Sequence, residues 1–493
     1  MSGAVRRSRP VALDLRPVGY VIGLLVTALG LSMLVPLTVD IVVRNGYWPD
    51  FAEASAITAL TGALLALACA NGTSERLSIQ QTFLLTTAVW IVLPIFGAIP
   101  FVLSETDASV TDAFFEAVSG MTTTGSTVFS GLDDLPHGIL LWRSMLQWFG
   151  GIGIVVVAMV FLPELRVGGM QIFRSEAFET MGKILPRAAE IAAQISWIYV
   201  VLTFVCFLGY VALGMSSFDA INHALTTMST GGFSTRDASF GAFQGAPEYY
   251  ASVFMILASL PFVRYIQVIA GHGRPLFRDA QVRAFISVIL VVVLLLAGYQ
   301  VAFLGRGIEE SVREAVFNAT SVMSGTGFAS VDYQLWGPFA MVVFFTVGLV
   351  GGCAGSTCCS IKIFRYQILI SSIRAQIQRI HSPHGLFTPR FDGRPVDDEV
   401  LNSVMAFFVL FVVSLGVLSV LLSLTGLDFT TSLTGAATAI ANIGPGLGDI
   451  IGPAGNFAAI NPTAKWLLIG GMIVGRLELM AVYVLFTLTF WRT

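Results

Sequence analysis

Four short stretches of this sequence offer oxygen atoms and little else. They read Met121-Thr-Thr-Thr-Gly125-Ser, Met228-Ser-Thr-Gly-Gly232-Phe, Met323-Ser-Gly-Thr-Gly327-Phe and Asn442-Ile-Gly-Pro-Gly446-Leu, and they recur roughly every hundred residues. Backbone carbonyls can replace the hydration shell of a cation. Glycine lets the chain turn those carbonyls inward, including at φ > 0, and Thr and Ser add hydroxyl oxygens. A divalent ion would call for carboxylates, and none lies within the four stretches. Neutral oxygen coordination of a large, weakly hydrated monovalent cation is the chemistry they suit. The candidate ligands are Thr123, Thr124 and Gly125; Thr230, Gly231 and Gly232; Gly325, Thr326 and Gly327; and, aligned on the last glycine, Gly444, Pro445 and Gly446. Small-residue helix packing would account for one such patch. Four of them, each preceded by a short helical segment, favour coordination.

Those segments run from Val110 to Gly120, Phe218 to Thr227, Ser311 to Val322 and Thr430 to Ala441. Each is too short to cross a bilayer, which takes about 20 apolar residues. Each follows one long apolar run and precedes another, which begins near Gly138, Tyr249, Pro338 or Thr463. The repeating unit is therefore span, half-helix, glycine loop, span. Two further spans, about Val18 to Val42 and Ala54 to Ala70, come first. Irregular backbone at membrane depth is tolerated where it is buried in protein or lines a wet cavity, so the four loops are expected to share one cavity. The expected architecture is an all-α integral membrane protein: four span–half-helix–loop–span repeats around a pseudo-fourfold pore, plus two N-terminal transmembrane helices. The divisions fall at 1–75 for the N-terminal hairpin, then 76–180, 181–275, 276–395 and 396–493 for the repeats.

Composition agrees. Hydrophobic residues make up 55% and charged residues 12%, against about 25% charged in a soluble domain, and the mean hydropathy is +0.80. The long apolar runs are those of helices, not of the alternating strands of a barrel. Arg6, Arg7, Arg9 and Arg16 in the N-terminal tail, and Arg365, Arg374, Arg379, Arg390 and Arg394 in a polar stretch before Val400, place both regions in the cytoplasm by the positive-inside rule. Both termini are then cytoplasmic, and the first apolar run reads as a retained span. The glycine loops enter from outside, so each half-helix aims its partially negative C-terminus inward, which favours a cation. Asp133, Asp134, Asp237, Asp332 and Asp449 lie on the outer side, either as solvated loop residues or as an acidic mouth that concentrates cations.

Two features interrupt the spans. Gly351-Gly-Cys-Ala-Gly-Ser-Thr-Cys-Cys-Ser360 is a poor helix, since glycine there costs about 1 kcal/mol relative to alanine. It reads either as close helix packing or as a break below the glycine loops that gates the path, with Gly351, Gly352, Ala354, Gly355, Ser356 and Thr357 as its body. The second is Arg476, in Gly475-Arg-Leu-Glu478 of the last span. A charge inside a span usually faces the interior and marks an ion path; pairing with Glu478 is the structural alternative. Glu116 and Arg476 are the ionisable candidates for a proton- or Na⁺-coupled carrier, the competing reading. No paired carboxylates, His cluster or nucleophile arrangement supports an enzyme. The sequence has no dinucleotide fingerprint and no Walker A motif, so any nucleotide sensing belongs to another polypeptide. The chain itself is expected to bind no cofactor, and no nucleic-acid partner is expected.

These residues resemble the TrkH/TrkG branch of the Trk/Ktr/HKT potassium transporter superfamily. The resemblance rests on Ser119-Gly-Met-Thr-Thr-Thr-Gly-Ser126, Gln147-Trp-Phe-Gly-Gly-Ile-Gly153, Gly168-Gly-Met-Gln-Ile-Phe-Arg174, Ser229-Thr-Gly-Gly-Phe-Ser234, Gly351 to Lys362 and Gly475-Arg-Leu-Glu478. It implies K⁺ uptake across the cytoplasmic (inner) membrane, with K⁺ held at the filter residues named above. It also implies a homodimer of pore subunits in the lipid bilayer and a cytoplasmic TrkA-like nucleotide-binding ring that gates the pore. Gly351 to Ser360 would be the intramembrane gating loop, with Arg476 close to it below the filter. Glycine at Gly125, Gly232, Gly327 and Gly446 would favour K⁺ over Na⁺. Where the family usually continues this loop with glycines after Ser-Thr, this chain has Cys358, Cys359 and Ser360.

Overall fold

A computed structural model describes residues 13–72, 77–104, 106, 108–160, 169–170 and 188–492. Arg6, Arg7 and Arg9, and the motif from Gly168 to Arg174 apart from Gly169 and Met170, lie outside the described residues.

The chain opens with α1 (Arg16–Ser32) and α2 (Leu34–Val43), which together form one apolar span, and returns as α3 (Trp48–Cys69). Glycine lets this hairpin close: a Cβ at Gly23 would lie 2.5 Å from the Ala66 nitrogen, and one at Gly62 would lie 2.5 Å from the Thr27 nitrogen. The first repeat then runs through α4 (Ile79–Gly97), α5 (Ile99–Leu103), the half-helix α6 (Val110–Met121) and α7 (His137–Val160). The second has α8 (Ala188–Ala212), the half-helix α9 (Ser217–Met228), α10 (Ala246–Ala258) and α11 (Phe262–Ile269). A short α12 (Arg274–Arg278) leads into α13 (Ala280–Leu304), the half-helix α14 (Ile308–Ser324), α15 (Pro338–Gly348) and α16 (Ile363–His381). The last repeat is α17 (Asp398–Leu424), the half-helix α18 (Phe429–Ala441), α19 (Pro462–Arg476) and α20 (Met480–Tyr483), before a terminal α21 (Leu488–Arg492).

Local chemistry sets these boundaries. Side chains at the N-termini of three half-helices satisfy otherwise orphaned N–H groups: Ser109 accepts from Asp112 N, Ser216 from Asp219 N and Asp428 from Thr431 N. The half-helix α14 starts before the expected Ser311, because Glu309 and Glu310 extend its first turn and pair with Arg313 and Arg306.

Among the described residues, seven helices are long and apolar enough to cross a membrane, or nine when two bent pairs each count as one span. The pairs are α10 with α11, bent by 91°, and α19 with α20, bent by 105°. The remaining expected span is divided into α15 and α16. Large apolar side chains such as Leu290, Leu294, Val409, Val413 and Val420 are exposed along α13 and α17. That suits helices solvated by lipid rather than by water.

Among the described residues, small strands occur only around loops. Val350–Gly351 (β1) pairs in parallel with Ile361–Lys362 (β2), and Arg390–Phe391 (β3) forms a hairpin with Arg394–Pro395 (β4).

Candidate ion-coordinating site

Each half-helix ends in a turn that settles where the next carbonyls point. In three of them a residue at positive φ follows the last turn: Thr123 (φ 54°), Thr230 (φ 51°) and Asn442 (φ 51°). The N–H groups just beyond turn back to the helix, Thr124 N to Ser119 O at 2.9 Å, Gly231 N to Thr226 O at 2.9 Å and Ile443 N to Thr438 O at 3.0 Å. This is the Schellman pattern, in which loop N–H groups satisfy the helix's last carbonyls. The third loop uses Gly325 (φ 78°) and a bond from Gly327 N to Ser321 O at 3.2 Å. With their N–H groups directed back, the loops are free to direct carbonyls forward. A β-branched threonine at positive φ is itself strained, by about 1–3 kcal/mol.

Two residues after each positive-φ residue of the first three loops comes a glycine, also at positive φ: Gly125 (85°), Gly232 (77°) and Gly327 (80°). Counted the same way from Asn442, the fourth counterpart is Gly444. A Cβ at Gly446 would face Ile451 and Thr434 instead. The register of the fourth loop is thus shifted by two residues from an alignment on its last glycine, because the half-helix closes on Asn442 and leaves two glycines after it. The four loops touch in chain order. A Cβ at Gly125 would overlap Gly231 O, and one at Gly232 would overlap Thr326 O. A Cβ at Gly327 would lie 2.8 Å from Gly444 N, and one at Gly444 would lie 3.1 Å from Gly125 O. Ser126 Oγ donates to Gly444 O at 2.8 Å. Gly125, Gly232, Gly327, Gly444 and Pro445 line one cavity of about 70 Å³, together with loop residues that include Arg236 and Asp237.

Not every candidate oxygen faces that cavity. The Thr124 hydroxyl meets Thr122 Oγ1 and accepts from Asn442 Nδ2 at 3.0 Å, and the Thr326 hydroxyl meets Ser324 Oγ. Thr230 Oγ1 donates to Ser229 O. The Gly231 carbonyl already accepts from Gln147 Nε2 at 2.7 Å. The hydroxyls of Thr124, Thr230 and Thr326 therefore brace the loops, and the ring is built from peptide groups.

Side chains behind the loops hold them, and several were not singled out from sequence. Gln147 grips the second loop twice, since its Oε1 also accepts from Phe233 N at 3.0 Å. Fully buried Arg143 donates to Glu116 Oε1 at 2.8 Å, to Ser234 O at 2.9 Å and to Thr127 Oγ1 at 3.1 Å, and it stacks 4.2 Å over the Phe233 ring. Glu116, in turn, accepts from Val128 N at 2.9 Å. This one ion pair links the ends of the first and second loops. His223 bonds Ser234 Oγ at 2.9 Å, and Asn318 holds both the hydroxyl and the N–H of Ser330. Arg143 carries a legible signal, a charge within a span; the amides carry none. Of the loop aspartates, Asp133 pairs with Arg236 at 3.0 Å, Asp237 accepts from Leu132 N and Asp332 caps Gln334 N. Arg236 holds the Asp133 carboxyl below the usual carboxylate range.

Beneath the ring lies the small-residue run. β1 and β2 clasp its two ends together, and residues 351–358 are all buried. It docks into the break between α10 and α11. Cys353 N donates to Ser259 O at 3.0 Å, Thr357 N to Ala258 O at 3.3 Å and Phe262 N to Gly355 O at 3.0 Å. Pro261 lacks an N–H and cannot continue α10, so the freed carbonyls of Ala258 and Ser259 serve the loop. Ala354 N donates to Gln281 Oε1 at 2.9 Å, and Ser356 Oγ to Cys353 O at 2.7 Å. The run reaches three glycine loops from below: Thr357 Oγ1 lies 3.2 Å from Thr230 Oγ1, Cys359 Sγ lies 4.0 Å from Thr123 Oγ1, and Cys359 N lies 3.8 Å from where a Gly325 Cβ would be. Arg476 completes it. The guanidinium contacts Cys359 Sγ and donates to Thr357 O at 3.4 Å and to Gly150 O at 3.1 Å, beside Trp90. Arg476 does not pair with Glu478, whose carboxylate is held by Lys362 at 3.2 Å and by Arg365.

Comparison with known proteins places the chain among potassium transporters in sequence and in fold. The family model described as TrkH, cation transport protein, matches residues 48–491. The Trk system potassium uptake protein TrkI of Halomonas elongata is 42% identical over 478 residues, covering 97% of both chains. The Trk system potassium uptake protein TrkH of Escherichia coli K12 is 35% identical over 485 residues, covering 97% of this chain and 99% of its own. The crystal structure of the potassium transporter TrkH from Vibrio parahaemolyticus superposes with a TM-score of 0.90 at 32% identity, covering 97% of this chain and 100% of that one.

The Arg143–Glu116 pair yields a stability prediction. Arg143→Met leaves a buried carboxylate unpaired and should cost about 3–5 kcal/mol, read as a lower thermal unfolding midpoint in detergent. The Arg143→Met/Glu116→Gln double variant should lose less than the two single variants summed. A single variant as stable as the parent would show that the pair does not brace the loops.

Proposed function

The chain belongs to the TrkH family of cation transport proteins, and on that premise we propose that it takes up K⁺ across the cytoplasmic membrane through a channel-like pore. The observation that carries this reading is the meeting of four glycine loops around one cavity, each at the C-terminal end of a half-helix. A K⁺ ion would pass between the carbonyls of Thr123 to Gly125, of Thr230 and Gly232, of Gly325 to Gly327 and of Ile443 to Pro445. The peptide oxygens replace its hydration shell, while four half-helix C-termini add negative potential. The four repeats then stand in pseudo-fourfold order about this axis, with both termini in the cytoplasm. Membrane potential alone drives entry, at about 2.3 kcal/mol per charge per 100 mV.

Gly351 to Ser360 and Arg476 are the gate in this reading. The loop blocks the path sterically, and a fixed guanidinium repels K⁺ more strongly at low dielectric than in water. Regulation comes from a cytoplasmic nucleotide-binding subunit acting on a homodimer of this chain. Ile373, Ile377, Ile380 and Leu386 are exposed beside Arg374 and Arg379 on α16 and the turn after it, which supports docking there.

Reconstitution in liposomes under K⁺, Rb⁺ and Na⁺ gradients tests the proposal: reversal potentials set by K⁺ alone identify a pore, and potentials displaced by a proton or Na⁺ gradient identify a coupled carrier. Gly125→Ser should narrow the K⁺/Na⁺ permeability ratio, because its Cβ crowds Gly231 O; an unchanged ratio would remove this loop from the filter. Deleting several residues between Ala354 and Ser360, or Arg476→Ala, should raise flux while selectivity persists. A deletion that inserts normally yet lowers flux would make the run a packing element. Ile377→Asp should abolish recovery of a nucleotide-binding partner from native membranes, and equal recovery with the parent chain would move the docking surface elsewhere.

A further inference from the structure

Cys359 stands apart from the other cysteines of the gate region. Cys353 and Cys358 are buried, whereas Cys359 is half-exposed, beneath the ring and beside Thr123 of the first loop. Its sulfur contacts Arg476, whose side chain is only 2% exposed. Among the described residues no carboxylate pairs with Arg476, since Glu478 is taken by Lys362 and Arg365, and Arg476 Nε has no acceptor. Besides the carbonyls of Thr357 and Gly150, this buried guanidinium thus faces a thiol sulfur, a weak acceptor, in a place where an oxygen would bind it more strongly.

We propose that Cys359 is a site of reversible oxidation by peroxide, and that the oxygen added to its sulfur binds Arg476 and holds the loop across the ion path. The proposal rests on reading Gly351 to Ser360 as the gate. A sulfur electron pair attacks one oxygen of hydrogen peroxide. The S–O bond forms as the O–O bond breaks, and the departing hydroxide takes the thiol proton and leaves as water. The product is the sulfenic acid of Cys359. Its oxygen accepts from the guanidinium in a charge-assisted hydrogen bond, roughly twice as strong as a neutral one. That bond ties the loop to α19 more firmly than the thiol does. A small thiol reverses the step: one molecule displaces water to form a mixed disulfide, and a second releases the Cys359 thiol together with a free disulfide. Cys69, also half-exposed, lies on α3 against Gly19 of α1, away from Arg476, and serves as the internal control.

The test uses the full chain in proteoliposomes, with hydrogen peroxide and then dithiothreitol. Rb⁺ uptake gives the flux, and dimedone labelling with peptide mass spectrometry gives the modified site. Uptake should fall at least about tenfold after peroxide, the order expected of one charge-assisted hydrogen bond, and should recover with dithiothreitol. Dimedone should label Cys359. Cys359→Ala should lose the sensitivity, read as flux after peroxide over flux before it in that same variant, and Cys69→Ala should keep it. Arg476→Lys, which keeps the charge but presents a single nitrogen, should weaken the response while Cys359 is still labelled. Labelling of Cys359 without a change in flux, or an equal fall in Cys359→Ala, would overturn the proposal, as would a Cys359 that dimedone never labels. Absence of Rb⁺ uptake before any peroxide would instead count against the pore reading, with the labelling result still deciding whether Cys359 is oxidised.

Discussion

Peptide oxygens that serve an ion cannot also serve a helix or a sheet, and at membrane depth no water stands by to replace those partners. Each unsatisfied polar group there costs several kcal/mol. The half-helix ends resolve this by dividing the two halves of the peptide group. Thr124 N, Gly231 N and Ile443 N return to the helix carbonyls, and in the proposed pore the oxygens of the same backbone serve the ion. That division needs a residue at positive φ directly after each helix, which is why Thr123, Thr230, Gly325 and Asn442 occupy equivalent places despite their different chemistry. Two of them are β-branched, so the loops carry strain that the surroundings must hold. Gln147, Asn442 and the Arg143–Glu116 pair are the holders.

The two buried arginines beside the glycine loops show opposite electrostatic solutions. Arg143 is neutralised by Glu116 at 2.8 Å and spends its remaining donors on the loops, so it leaves little net field near the ring. Arg476 has carbonyls and a sulfur for partners, and among the described residues no carboxylate neutralises its charge. The carboxylate that could have neutralised it, Glu478, is turned away by the backbone: Glu478 and Leu479 both sit at positive φ, in the bend between α19 and α20.

The half-helices were legible because their composition changes abruptly, from apolar span to Ser, Thr and Gly. Their observed ends fall within about three residues of those read from the sequence, the usual scatter for helix boundaries. The break at the small-residue run was legible for the same reason. The fourth loop's register was not, because Asn442-Ile-Gly-Pro-Gly446 contains two glycines and either could follow the turn; only the closing contact of Gly444 with Gly125 and Gly327 distinguishes them. The bend at Ser259 and Pro261 was hidden within an otherwise apolar span, and the one at Glu478 has no glycine or proline to mark it. Nor does a sequence reveal that the hydroxyls of Thr124 and Thr326 turn away from the cavity, since that depends on Asn442 and Ser324 brought near by folding.

The docking of the small-residue run has a mechanical consequence. Its hydrogen bonds to Ala258, Ser259 and Phe262 attach it to the broken span of the second repeat, and its contacts with Thr230 and Arg476 attach it to the second loop and the fourth repeat. The β1–β2 clasp fixes both ends of the run, so it cannot unravel from one side. It can move only as a loop between pinned ends, exchanging its bonds to the α10–α11 break, or together with α16, which begins directly after β2. α16 is also the helix with the exposed apolar and basic surface. A force applied there reaches the clasp through one continuous helix, without crossing any packed interface.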